Sequence, residues 1–232
     1  MSDFSIEHNI RLFKYMANRP LVIGVGFQKT GTSTLRESLK ILGYTVKDAT
    51  PRALLPILKK DWNKIEHILR KYDAIQDTPW YYIYKDLDRL YPGSKFVLTI
   101  RDEEKWYRSV KRHIGDLRSA HHEWIYGRGK GLPMEDKENT IAVYRRHNEE
   151  VVEYFKDRPD DFIVIDFTKG ESWEKLCPFL GKPFPEHDLP HYNKTNWAKK
   201  QEPRKSSFKL VRKRIKNKIK IWYIDRLGLW EK

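Results

Sequence analysis

An apolar run, a glycine-containing loop and a helical pattern follow one another within residues 21–43. The run LVIGVG at residues 21–26 is short and β-branched, which predicts a buried strand that ends in a tight turn. Residues 32–43 predict a helix, because leucines recur along one face: Leu35, Leu39 and Leu42. A strand, a glycine loop and a helix in this order are the usual frame of a phosphate-binding loop.

The lysine of this loop is displaced from its position in the loops that bind nucleoside triphosphates, which read G-x-x-x-x-G-K-[ST]. Gly26 and Gly31 keep the glycine spacing, but Thr32 stands at the lysine position, and Lys29 precedes the second glycine. We call residues 27–34 the Lys29 segment. Backbone N–H groups, the helix N-terminus and several hydroxyls predict an anion site made by Gln28, Lys29, Thr30, Gly31, Thr32, Ser33 and Thr34.

Further strands and helices alternate along the chain. Buried strands are predicted at residues 73–77, 95–100 and 162–167, and helices near residues 61–71, 81–91, 103–118 and 136–157. This alternation favours an α/β fold of the P-loop type, with three layers and a central, mostly parallel sheet flanked by helices. Ligands of such sheets bind at the carboxyl ends of the strands. We therefore expect the Lys29 segment, Asp77 and Arg101 at one edge of the sheet.

A second pattern, FVLTIRDEEKWYRSV, occupies residues 96–110. Arg101 follows the predicted strand, and Ser109 lies eight residues later on the predicted helix. A guanidinium fork and a hydroxyl together offer charge-assisted hydrogen bonds to a second phosphate.

Taken together, these motifs resemble the sulfotransferases that use 3′-phosphoadenylyl sulfate (PAPS). The family's K/R-x-G-T-[TS] loop is matched by residues 29–33, and its Arg and Ser by Arg101 and Ser109. The likeness is closer to a small single-domain branch, through Asp77-Thr78-Pro79, residues 91–102, Trp106 and residues 170–193. The resemblance implies that the Lys29 segment binds the 5′-phosphosulfate and that Arg101 and Ser109 bind the 3′-phosphate. It also implies that Lys29 stabilises charge during sulfuryl transfer and that no metal is needed.

The attacking acceptor must lose a proton, so a general base is expected. Asp77 is the first candidate, since the similar branch places a catalytic aspartate at this D-x-P. The alternative is that Asp77 only caps a helix that begins near Pro79. Many larger sulfotransferases use a histidine or glutamate, which leaves three histidines in reserve, each expected to be solvated: His113, His121 and His122.

A P-loop kinase that uses ATP and magnesium remains an alternative function. Asp166, at the end of the predicted strand 162–167, could stand in for the acid that holds magnesium in such enzymes. The sequence offers no second convincing acid.

We also predict the burial or mobility of three further segments. The aromatic run Trp80, Tyr81, Tyr82 and Tyr84 is expected mainly in the core, with one or two rings lining an acceptor site. Residues 119–136 contain three glycines and a proline, which favours a mobile loop over the acceptor or a simple connection. Trp173 and Cys177 are expected in the core.

The positive charge of the chain is concentrated near its end. The formal net charge is +14, and residues 199–232 contribute +10 of it through 13 Lys/Arg against three acids. We expect an α/β domain over residues 1–204 and a basic amphipathic helix over residues 205–232. Its apolar positions recur at three- and four-residue steps: Phe208, Val211, Ile215, Ile219 and Trp222.

Three roles of this terminal helix remain open. It docks on the domain, it lies on an anionic membrane, or it binds a partner or nucleic acid, for which no sequence-specific contact is expected. A protein that only binds membranes or nucleic acid would leave the Lys29 segment and Arg101 unexplained. A contribution of Lys199, Lys200 and Arg204 to the 3′-phosphate is also open.

The sequence also bears on location and acceptor. One cysteine, no secretory signal in the first 15 residues and no apolar stretch of about 20 residues lead us to expect a cytoplasmic protein, with possible membrane association through residues 205–232. The expected acceptor is a small molecule or glycan with a hydroxyl or an amine.

Overall fold

The computed structural model describes Met16, residues 18–190 and residues 207–230, with side chains from residue 211 in the last range. Two compact units divide the chain: residues 1–101 with 147–190, and residues 102–146 with 191–232. The expected boundary at residue 204 and the basic residues Lys199, Lys200 and Arg204 lie outside the described part, so these predictions stay as they were.

The first unit contains a five-stranded parallel sheet. Its strands are β1 (Val22–Gly24), β2 (Val46–Lys47), β3 (Ala74–Ile75), β4 (Lys95–Thr99) and β5 (Phe162–Ile165). Their order across the sheet is β2-β3-β1-β4-β5, so the chain leaves the central β1 in one direction and later returns to its other side. The four predicted strands are present, whereas β2 was missed because Val46 and Lys47 form no apolar run.

Nine α-helices are described in chain order. They are α1 (Thr32–Ile41), α2 (Leu54–Leu58), α3 (Trp62–Leu69), α4 (Tyr84–Leu90), α5 (Glu103–His113), α6 (Ala120–Tyr126), α7 (Lys137–Phe155), α8 (Trp173–Leu180) and α9 (Ser207–Arg226). Short 3-10 turns precede α2 and α4 and follow β5, at Pro51–Ala53, Trp80–Ile83 and Phe167–Lys169. Helices α1 to α4 and α8 belong to the first unit, and α5, α6 and α9 to the second.

One face of the sheet is covered by α1 and α8. Leu35 and Leu39 of α1 and Trp173 and Cys177 of α8 share a buried cluster with Val97 of β4. The core positions expected for Trp173 and Cys177 are therefore confirmed. Burying this apolar surface stabilises the unit by about 25 cal/mol for each Å² removed from water.

The other face of the sheet is covered by the second half of α7. Phe96, next to Val97 on β4, points to the opposite face because side chains alternate along a strand. Its ring lies 4.5 Å from that of Phe155, which also stacks on Phe162 at 5.1 Å. Helices on both faces of a parallel sheet confirm the expected three-layer α/β fold of the P-loop type.

Two expectations about the second unit are wrong. Helix α5 ends at His113, five residues before the expected end. Residues 119–136 are not simply irregular, because α6 lies within them. Ser119 caps α6 by accepting from the N–H of His122 at 3.2 Å. The three glycines hid this helix, whose cap and buried Trp124 and Ile125 are the local signals for it.

Helix α9 packs on α6, but not with the expected face. Ile221 and Ile224 are buried, and Asn217 donates a hydrogen bond to the carbonyl of Arg118 at 2.9 Å. The expected apolar face instead faces outwards, with Val211, Ile215, Ile219 and Trp222 exposed. Phe208 belongs to α9, but its side chain lies outside the described part. Within the described ranges, no helix combines the length and apolar character that a membrane crossing needs.

Candidate functional site

Three neighbouring strands of the first unit end beside one another at the site. The order β3-β1-β4 places residues that follow β3, including Asp77, next to the Lys29 segment after β1, with Arg101 after β4 on its other side. Parallel strands present their carboxyl ends at one edge, where ligands of such sheets bind when the strand order reverses. The topology therefore brings three of the predicted site elements to one place.

The Lys29 segment is tied to the end of β4. The hydroxyls of Thr30 and Thr99 lie 2.6 Å apart, and the Thr30 hydroxyl also lies 2.6 Å from the carbonyl oxygen of Phe27. Both threonines are fully buried. A Cβ at Gly26 would collide with the backbone of Thr99, so only glycine fits there. The hydroxyl of Thr30 thus holds the loop in place, and its predicted part in donor binding remains untested.

The backbone of the Lys29 segment turns through left-handed conformations before α1. Lys29 has φ 74° and Gly31 has φ 116°, a region that favours glycine. Gly31 also lies against Phe167, whose Cδ2 would be 2.9 Å from an added Cβ. No described side chain caps the N-terminus of α1, so the N–H groups of Thr32, Ser33 and Thr34 stay available to an anion.

Arg101 reaches the Lys29 segment. Its Nη1 donates to the carbonyl oxygen of Lys29 at 3.4 Å, and the side chain is half-buried. The expected proximity of these two residues is therefore present. Ser109 lies on α5 in the second unit and is partly exposed, and its carbonyl accepts from Nδ1 of His113 at 2.8 Å.

The rings of Tyr81 and His147 pack against Phe27 of the Lys29 segment. The hydroxyl of Tyr81 donates to Oε1 of Gln28 at 2.8 Å, and the Phe27 ring lies 4.5 Å from that of Tyr81. His147 packs edge-on against Phe27 at 4.9 Å, and its Nε2 donates to the carbonyl of Val25 at 2.8 Å. Burial lowers the pKa of His147 to about 4, so the ring is neutral. Sequence reasoning missed His147, since a lone histidine in a helix carries no pattern.

Asp77 lies in an unusual backbone conformation beside the N-terminus of α1. Its φ is 66°, its Oδ1 accepts from the N–H of Thr78 at 2.6 Å, and its Oδ2 accepts from the hydroxyl of Thr32 at 3.4 Å. The helical turn that follows has Pro79 at its N-cap, and no described side chain caps it. The alternative role of Asp77 as a helix cap is therefore not observed. Burial raises the pKa of the Asp77 carboxyl, and repulsion from Asp48 adds to this.

Asp48 and Gln76 form a polar support that the sequence did not indicate. Gln76 is fully buried, and its Nε2 donates to the carbonyl of Thr32 at 2.7 Å and to Oδ1 of Asp48 at 3.2 Å. Arg36 donates to Oδ2 of Asp48 at 2.5 Å. Asp48 follows β2, which was missed because Val46 and Lys47 form no apolar run.

Comparison with known proteins decides the family. The sulfotransferase domain family matches residues 21–133 and 117–198, which is most of the chain. The chain belongs to the sulfotransferase domain family. It is also 25% identical over 216 residues to the "Ava biosynthesis cluster protein M" of Aspergillus versicolor, covering 73% of this chain and 79% of that protein. Family membership supports a sulfotransfer-type activity.

The three reserve histidines of the sulfotransferase domain lie in different surroundings. His121 is buried, contrary to the expectation of a solvated ring, and burial lowers its pKa to about 3. Nδ1 of His122 donates to the carbonyl of Leu117 at 3.0 Å. His113 is exposed.

Asp166, the acid invoked for a kinase, caps the turn after β5. It accepts from the N–H and the hydroxyl of Thr168 at 2.9 Å and 2.6 Å. The described residues contain no cluster of three or more acidic, histidine or cysteine side chains that could hold a metal ion. Metal independence stays a prediction.

The aromatic run after Asp77 lies mainly in the core of the sulfotransferase domain, as expected. Trp80 and Tyr81 are fully buried and Tyr84 is nearly so, while Tyr82 is half-buried. Tyr82 is therefore the most exposed member of the run.

Proposed function

We propose that this protein transfers the sulfuryl group of PAPS to a hydroxyl or amine of a small-molecule or glycan acceptor. In this proposal the Lys29 segment binds the 5′-phosphosulfate and Arg101 binds the 3′-phosphate, with Ser109 assigned to the same phosphate by the family resemblance. Asp77 is the general base, and Lys29 stabilises charge on the departing phosphate. The 3.4 Å contact of Arg101 with the carbonyl of Lys29 is the observation that carries the proposal.

The Lys29 segment and Arg101 offer two kinds of group that can bind an anion. The first turn of α1 offers N–H groups without a capping side chain, and the left-handed Lys29 and Gly31 shape the turn that leads to it. Arg101 adds a guanidinium, whose planar fork suits phosphate oxygens. An anion bound by these groups would be held by backbone dipoles and by one fixed cation.

The residues of the chain would divide the transfer step between them. When bound, PAPS supplies the sulfuryl group and leaves as adenosine 3′,5′-bisphosphate. Asp77 accepts the proton that the acceptor loses as its oxygen or nitrogen forms the new bond to sulfur. Lys29 stabilises the negative charge that collects on the phosphate as the old S–O bond breaks. The raised pKa of Asp77 suits this role, because a base works best when its pKa lies near the working pH.

Ligand-induced stabilisation tests the donor. We expect adenosine 3′,5′-bisphosphate to raise the melting temperature of the full chain in the presence of a chelator, because binding to the folded state stabilises it. ATP with magnesium should have a much smaller effect. A response to ATP and magnesium alone would replace the proposal with phosphoryl transfer.

Labelled transfer tests the acceptor. A panel of phenols, alcohols, sugars and amines is incubated with PAPS labelled in the sulfuryl group, and the label is followed into product. We expect transfer to at least one class, lost in Asp77→Asn. If Asp77→Asn forms labelled product as fast as the wild type does, Asp77 is not the general base.

A further inference from the structure

The second unit exposes an apolar stripe along α9. Four large side chains lie at steps of four, four and three residues, which places them on one side of the helix. Their exposed fractions are 49% for Val211, 51% for Ile215, 60% for Ile219 and 64% for Trp222. Single exposed apolar residues are ordinary, but an aligned row along a helix marks a surface that binds something.

Cations border this stripe on both sides. On a helical projection Arg214 and Lys218 lie along one border, and Arg212 and Lys216 along the other. All four are exposed. The acid within the helix, Asp225, is engaged by Arg128 at 2.7 Å and 2.5 Å. The exposed surface of α9 is therefore apolar at its centre and positive at its borders.

The opposite side of α9 is occupied along the second half of the helix. Ile221 and Ile224 are buried, Asn217 bonds to the carbonyl of Arg118, and Asp225 pairs with Arg128. A protein partner that enwraps a basic amphipathic helix needs access to most of its circumference. Along residues 217–225 the described part of the structure leaves only one side of α9 open, and a flat surface can cover that side completely. Nucleic acid would pair with the cations but would leave the central apolar row without a partner.

We propose that α9 lies flat on an anionic lipid bilayer, with Val211, Ile215, Ile219 and Trp222 inserted at the level of the headgroups. The bordering lysines and arginines then lie among anionic headgroups, and the docked side keeps the rest of the unit on the aqueous side. This arrangement does not depend on the transfer chemistry proposed above.

Vesicle sedimentation of the full chain tests this arrangement. We expect strong binding to vesicles of phosphatidylcholine with phosphatidylserine, weak binding to phosphatidylcholine alone, and loss of binding as salt is raised. Ile215→Ser/Ile219→Ser should weaken binding to the anionic vesicles roughly tenfold or more, because two apolar anchors are lost. The matched control is Ile41→Ser/Val152→Ser, which alters two residues exposed by 41% and 43% on other helices and should bind like the wild type.

A second pair of double variants tests the cations that border the apolar stripe. Lys216→Gln/Lys218→Gln should weaken binding to anionic vesicles by about tenfold, whereas Lys71→Gln/Lys111→Gln should not change it. All four altered lysines are exposed, so thermal unfolding should stay unchanged in both double variants. Unchanged unfolding assigns lost binding to the surface rather than to misfolding.

Three results would overturn the proposal. Wild-type protein that stays in the supernatant with anionic vesicles is one, and equal binding by the Ile215→Ser/Ile219→Ser variant and its control is another. The third is tight binding of the wild type to RNA or DNA that these isoleucine substitutions leave intact, with no vesicle binding. That pattern would assign the cations of α9 to nucleic acid.

Discussion

The hydroxyls of Thr30 and Thr99 lie 2.6 Å apart in the buried interior of the first unit. They connect the Lys29 segment to the last residue of β4, two positions before Arg101. One short contact thus holds two elements of the proposed donor site in register, because a displacement of either element would break it.

Thr99→Val tests this contact. The substitution keeps the shape of the side chain and removes the hydroxyl, so we expect a loss of about 1 kcal/mol in the free energy of unfolding. We also expect weaker binding of adenosine 3′,5′-bisphosphate, since the loop and Arg101 are no longer coupled. Urea denaturation and calorimetric titration measure the two effects. Thr99→Ser keeps the hydroxyl and should bind like the wild type, and equal affinities for Val and Ser variants would contradict the coupling.

Lys29→Met should lower turnover more than donor affinity. Losing one group that stabilises charge in the transition state costs about a hundredfold or more in kcat. The dissociation constant of adenosine 3′,5′-bisphosphate should change far less. Lys60→Met is the matched control, because Lys60 is an exposed lysine with a left-handed φ of 52°. A large loss of affinity with an intact kcat would assign Lys29 to binding alone.

Arg101→Ala should show the opposite pattern. A lost hydrogen bond to a charged group raises the dissociation constant of adenosine 3′,5′-bisphosphate by about tenfold to a hundredfold, with a smaller effect on kcat. The exposed Arg70 offers a control, and Arg70→Ala should bind normally. Arg101→Lys should restore the affinity only in part, since an ammonium lacks the planar fork. If Arg101→Ala lowers kcat and spares affinity, the roles of Arg101 and Lys29 are exchanged.

We expect kcat/KM to fall on the acidic side of its pH profile at a pH above the usual range of aspartate pKa values. We call this fall the acidic limb and assign it to Asp77. A base must be deprotonated, and the raised pKa of Asp77 moves this requirement to higher pH, so kcat/KM should rise through that pKa. Asp77→Asn should lower kcat by about a hundredfold or more and remove the limb. Asp48→Asn should move the limb to lower pH, because it removes a neighbouring negative charge. A limb at the same pH in wild type and Asp48→Asn would refute this electrostatic link.

The same carboxyl should cost stability at neutral pH. A carboxyl whose pKa is higher in the folded state than in the unfolded chain stabilises at low pH, and that contribution is lost as pH rises through the folded-state pKa. At pH 7 Asp77→Asn should therefore melt at or above the wild-type temperature, and the difference should close below about pH 3.9. A lower melting temperature for Asp77→Asn at pH 7 would count against a destabilising charge.

His147 should contribute to acid unfolding. Its pKa of about 4 lies below the unfolded value of 6.5, so its contribution to stability is complete above pH 6.5 and is lost as pH falls towards 4. This contribution is up to about 3 kcal/mol. His147→Gln should flatten the fall of unfolding free energy across this window, whereas the exposed His113→Gln should not. Parallel pH profiles for wild type and His147→Gln would show that another group is responsible.

Short-range patterns were enough to predict the strand, loop and helix of residues 21–43, the strand before Arg101 and the core positions of Trp173 and Cys177. Each of these rests on neighbours within a few residues, where periodicity and glycine placement act directly. Strand β2 was missed because Val46 and Lys47 form no apolar run, and helix α6 was hidden by the glycines beside it. Asp48 and Gln76 were missed for a different reason, since their partners Arg36 and Thr32 come from other elements.

Sequence alone determined the identity and order of the groups that can bind an anion: Lys29, the hydroxyls beside it and Arg101. Only the tertiary structure decided which groups point where. It placed the hydroxyl of Thr30 against that of Thr99 and showed no capping hydrogen bond between the Asp77 side chain and the described turn that follows. It also packed α9 through Ile221 and Ile224 rather than through its regular apolar row. The physical reason is that local periodicity fixes which residues share a face, whereas long-range packing chooses the face that becomes buried.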